Sequence, residues 1–199
     1  MNIEYSYFLN GRHPFLRESI ELLDQTFEVE YKHKNIEENS SYFRSLPQMN
    51  VDTTRRMDAS IVIDMAIGIC TFLAAYTANK ALDEIYNELI RPSLLNLINK
   101  INTSDKFTYC KTIDFYHVCY MKNINTSIVI RLTTTRDCDE NAATDLMNSA
   151  LNAGEHYISN FGSKAPIHYY HIINGHFNSI PHFRNTLKEI QRESIQFNK

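Results

Sequence analysis

Tryptophan is absent and glycine is scarce, at five in 199 residues. So few glycines supply neither a P-loop nor a G-x-G-x-x-G turn, which excludes nucleotide binding through a glycine-lined phosphate cradle. There is no G-x-S-x-G elbow, and no cysteine sits in a glycine-rich turn, so the usual settings for a nucleophilic serine or cysteine are missing. No two cysteines have C-x-x-C spacing and no H-E-x-x-H occurs, which removes the ordinary zinc signatures. The stretch MNIEYSYFLNGRHPF has neither a basic n-region nor a continuous apolar core, so no secretory signal is expected. A surplus of positive charge is also lacking. The net charge is −3, and nucleic acid is not expected as a partner without a basic face. Internal repeats and low-complexity tracts are absent.

What remains is an ordinary folded composition. Hydrophobic residues make up 43% and charged residues 22%, which argues against disorder outside loops and ends. The length suits a single domain over residues 1–199, large enough to bury a core without disulfides or metals. Twelve tyrosines and eleven phenylalanines make that core aromatic-rich. Cys70, Cys110, Cys119 and Cys138 read as free thiols of a reducing compartment, and the expected location is the cytoplasm.

Ile3, Tyr5 and Tyr7 alternate as in a strand. Pro14 suits a helix start, and Leu16, Ile20, Leu23 and Phe27 then fall on one helical face. FEVEYKHK alternates again, which completes a strand–helix–strand unit. Residues 34–58 form a long polar loop. Leu82, Ile85 and Leu89 return to helical spacing, Pro92 is expected to kink or restart that helix, and Leu94, Leu95 and Ile98 continue it. Residues 107–134 predict an antiparallel hairpin around NINTS, with Ile128, Ile130 and Leu132 on one face. The clearest helix follows. Leu146, Met147, Ala150, Leu151, Gly154, Tyr157, Ile158 and Phe161 form one stripe, acids gather at its start, and Gly162 ends it. IHYYHIIN reads as a last strand, and Phe183, Leu187, Ile190 and Phe197 as a terminal helix.

The run ASIVIDMAIGICTFLAAYTANK, residues 59–80, is long and apolar enough to raise the question of a membrane span. Asp64 opposes that reading, because a central carboxylate costs roughly 2.5–3.5 kcal/mol on insertion scales. Ser60, Asp64, Gly68, Thr71, Ala75 and Ala78 recur at helical spacing, a small-residue stripe that membrane and soluble helices share. A span would also leave a stub before it that could bury little core. The run is therefore expected to be a central helix sheathed by protein, with Asp64 a buried polar residue satisfied by neighbours such as Arg55 or Arg56.

Few residues suggest chemistry. His168, His171, His176 and His182 crowd into IHYYHIINGHFNSIPHF and are the candidate ligands of a small metal-dependent enzyme. On a strand, however, His168 and His171 point to opposite faces, and hydrogen-bonded or exposed histidines are the plainer reading. Asp137, Asp139 and Glu140 form one acidic group, for which helix-start electrostatics is the plainer explanation. Glu37 and Glu38 form a second in the long loop. No catalytic residue, metal or cofactor is assigned.

Taken in order, HPFLRESIELLDQTFEVEYK, DASIVIDMAIGICTFLAAY and KTIDFYHVCYMKNINTSIVIRLT lay out a strand–helix–strand unit, a small-residue-rich helix and a hairpin. Over residues 13–134 that order resembles small bacterial conflict-system proteins, both effector-associated modules and immunity proteins that neutralise interbacterial toxins. The resemblance implies a protein partner and transfers no site residue. The expected fold is α+β, a single-layer mixed or antiparallel sheet of about five strands against a long central helix and additional helices. The expected function is non-enzymatic binding of a cognate, basic toxin domain through Glu37, Glu38, Asp137, Asp139 and Glu140. The alternatives are the metal-dependent enzyme, an effector-associated adaptor and a single-span membrane protein. Oligomeric state has no signature.

Overall fold

The computed structural model describes residues 3–11, 21, 25, 37–38, 65–73, 81–107 and 112–196. Among the described residues, seven strands make one mixed sheet in the order β2-β1-β3-β4-β5-β6-β7. They are β1 (Ile3–Gly11), β2 (Glu37–Glu38), β3 (Met65–Leu73), β4 (Ile113–Met121), β5 (Thr126–Thr134), β6 (Ile167–Ile173) and β7 (His182–Arg184). Five of these are long, and the two short ones form the edges. β3 runs antiparallel to β1 but parallel to β4, and β5 runs antiparallel to β4 but parallel to β6. The class is α+β with a mixed sheet, as expected.

The main correction concerns residues 59–80. Met65–Leu73 is an inner strand of the sheet, not part of a central helix. Asp64 lies outside the described residues, as do Arg55, Arg56, most of the helix expected from Pro14 to Phe27, and the strand expected in FEVEYKHK. Glu21 and Gln25 are helical. A strand covered on both faces shows no polar–apolar alternation, so a short apolar run fits either element. Size alternates instead, in M-A-I-G-I-C. Ile69 and Leu73 enter one core and Cys70 the other. The resemblance to conflict-system proteins loses its helix at this point.

The continuous helices among the described residues are α1 (Ala81–Ile85), α2 (Arg91–Thr103), α3 (Glu140–Phe161) and α4 (Leu187–Gln196). A π-helical turn, Tyr86–Ile90, joins α1 to α2. Pro92 stands in the first turn of α2, where the α-helix resumes after the π turn. The turn ahead of it widens, and Arg91 N–H reaches back to Tyr86 O. That wider turn accommodates a residue with no N–H and a bulky ring. Ser93 Oγ donates to Leu89 O at 3.0 Å.

α3 is the long helix of the fold, and its ends match its letters. The Asp139 carboxylate accepts from Asn141 N at 2.9 Å and Ala142 N at 3.1 Å, an N-cap. Gly162 closes the helix at φ 73°, where a side chain would be strained. The hairpin of β4 and β5 also forms as expected, turning through Lys122–Ile124 and the left-handed Asn125, whose Oδ1 accepts from Tyr120 OH at 2.9 Å. Phe183 belongs to β7 rather than to the terminal helix. α4 starts at Leu187, and Glu189 reaches back over its first turn, accepting from Asn185 N at 3.2 Å through Oε2 and from Thr186 Oγ1 at 3.4 Å through Oε1.

Side chains from α1, the π turn, α2 and α3 cover one face of the sheet. Leu82, Tyr86, Leu94, Ile98, Met147 and Leu151 pack there against Ile69, Phe115, Ile130 and Ile172. On the other face Leu187 and Ile190 of α4 meet Val118, Val129, Ile167 and Tyr169. Gly154 brings α3 closest to the sheet. A Cβ there would stand 2.9 Å from Ile128 Cγ2, 3.0 Å from Cδ1 and 3.2 Å from Tyr170 Cε2.

Glycine-to-alanine inside a helix ordinarily gains ~1 kcal/mol, whereas overpacking a core costs ~1–3 kcal/mol. Gly154→Ala is therefore expected to lower the denaturation midpoint in the native background and to raise it when Ile128 is also Ala. Equal stabilisation in both backgrounds would show that the helix has room to spare.

Candidate functional site

The acidic residues singled out from the sequence fall in two places. Glu37 and Glu38 form β2, the edge strand paired in parallel with Glu4 and Tyr5 of β1. Asp137, Asp139 and Glu140 lie between the end of β5 and the start of α3. Four strand spacings separate β2 from β5, roughly 19 Å at ~4.8 Å each, so the two groups do not make one patch. Asp139 is committed to its helix cap. Asp137 is exposed and Glu140 half-buried. Asp105, which opens a 3-10 turn just after α2, is also exposed. Arg136 ties this corner together, donating from Nη2 to Asn102 O at 2.9 Å and Ser104 O at 3.0 Å.

The four C-terminal histidines do not converge. His168 is buried on the helical side of β6, its ring edge-on to Tyr157 and Phe183, and its Nε2 accepts from Lys164 N at 3.2 Å. His171 points to the opposite face, while His176 and His182 are exposed. Among the described residues, no three His, Cys, Asp or Glu side chains are placed to hold a metal ion. Nor is any helix there long and apolar enough to cross a membrane.

The most organised polar group was not singled out from the sequence. Asp114 of β4 and Arg131 of β5 form a two-pronged ion pair, with Nε to Oδ1 at 3.0 Å and Nη2 to Oδ2 at 2.8 Å. The hairpin register sets Tyr116 opposite Arg131 and Thr133 opposite Asp114, so the guanidinium reaches Asp114 diagonally along one face. Thr133 Oγ1 donates to Asp114 Oδ1 at 2.6 Å and lies 2.8 Å from His171 Nε2. With its proton on Asp114, the threonine oxygen can accept from His171, which makes Nε2 the protonated ring nitrogen. Arg131 also stands over the Tyr116 ring, 5.8 Å from its centroid.

Asp114 is 0% and Arg131 3% exposed, so neither charge reaches water. Burial by itself would lower the arginine's pKa, but the Tyr116 oxygen and the Asp114 carboxylate outweigh it and raise it. Burial, aided by Arg131, pushes His171 down to about 4. Burial pushes the Tyr169 phenol up to about 12, against the opposing pull of Arg131. The result is a locked array of a carboxylate, a cation, a hydroxyl and a neutral imidazole. It fixes strand register, with Asp114 and Arg131 buried and Thr133 and His171 half-buried at its margin.

On the helical face, His117 is fully enclosed, 3.5 Å by Nε2 from Thr71 Oγ1 and with its ring 5.7 Å from that of Tyr86. Burial lowers its pKa to about 4.

Two outcomes follow from these buried groups. Asp114→Ala leaves a buried guanidinium unpaired and is expected to cost ~3–5 kcal/mol in urea unfolding, whereas Asp114→Leu with Arg131→Met should recover most of that loss. A single substitution costing under ~1 kcal/mol would mean the pair organises nothing. For His117 the native pKa lies below its ordinary value, so the unfolded chain takes up the proton first. Its contribution is intact above pH ~6.5 and is lost as pH falls towards 4, amounting to ~2 kcal/mol at pH 5. Unfolding midpoints at pH 7.5 and pH 5 should therefore diverge less in His117→Gln than in the native chain, and an unchanged gap would clear His117 of responsibility.

Compared with known proteins, the chain matches no family model, no curated protein and no solved structure.

Proposed function

We propose that this chain is a non-enzymatic protein-binding protein of the cytoplasm, specifically an immunity-type inhibitor that neutralises a basic toxin domain. One observation carries the reading, the segregation of charge. The helical layer, residues 81–107 and 136–161, holds nine acidic and four basic residues, a larger acidic surplus than the whole chain's net charge of −3. Internal partners engage cations of this layer. Arg91 pairs with Asp145 at 2.7 Å, and Arg136 is held on backbone carbonyls. An outward layer with an acidic excess draws a basic partner in, speeds encounter and rejects acidic competitors.

The geometry separates residues that serve the fold from those available to a partner. Asp139→Ala removes a cap and is expected to cost about 1 kcal/mol of stability. Asp137→Lys with Glu140→Lys leaves the cap in place. The probe is the protein encoded by the adjacent reading frame, co-expressed for growth protection and titrated by calorimetry. The native chain should protect and bind, and the double reversal should weaken binding at least tenfold at low salt and flatten its salt dependence, with little change in thermal unfolding. Full affinity in the reversed variant would remove this corner as the binding site, and failure of the native chain to bind or protect would remove the immunity reading.

A further inference from the structure

We draw no further inference here: the strongest candidate, the exposed apolar patch of Phe161, Ile180 and Phe183 at the β7 edge of the sheet, is an unpartnered face, and nothing in the structure shows what covers it.

Discussion

Strand β4 meets water on neither face, and that constraint governs the molecule. From Ile113 to Cys119 every residue is buried, so each backbone N–H and C=O must find its partner in a neighbouring strand. β3 and β5 provide those partners in uninterrupted register. A slip by one residue would exchange the two faces, moving Phe115 and Cys119 to the side of Asp114 and carrying Asp114 into the apolar contact with the helices. The ion pair with Arg131 penalises such a slip, because both charges would lose their partner in a medium that cannot solvate them. Register and charge pairing therefore enforce each other.

The same arrangement divides labour between the two faces. The connections β3 to β4 and β5 to β6 join parallel strands, and each is long enough to carry helices. Both sets of helices settle on one face, and that layer carries the acidic surplus. The opposite face holds the locked polar array and is covered in part by α4, itself tied to β7 by the Arg184–Glu193 ion pair. The buried ion pair and the acidic surplus thus lie on opposite sides of the sheet.

Much of this was legible in the sequence where local signals and tertiary environment agree. α3 carries its stripe, its cap at Asp139 and its stop at Gly162. The β4–β5 hairpin carries its turn and its alternation. The helical reading failed over Met65–Leu73 because burial on both faces erased the pattern by which strands are recognised, and helical spacing could then be found in Gly68 and Thr71 by chance. The ion pair was half visible. Asp114 and Arg131 are lone charges in apolar runs, and once the hairpin is drawn they fall on one face one step apart. The pairing of Glu37–Glu38 with β1 left no local signal, since two polar letters acquire strand geometry only from the neighbour they meet. The acidic corner was found, but its residues do different work, because a cap and a surface charge look alike until the helix start is located.

The spacing of sheet neighbours along the chain has a further consequence, for synthesis. β4 and β5 are separated by a single short turn and can join as soon as both leave the ribosome, whereas β5 and β6 must wait for the whole of α3. β1 waits longest, since its antiparallel neighbour β3 begins only at Met65. The ladder groups that will face β3 stand open throughout that interval, and closing so distant a contact is slow. The nascent chain is therefore most exposed to errant strand pairing at β1, before the interior that will shelter it has been translated.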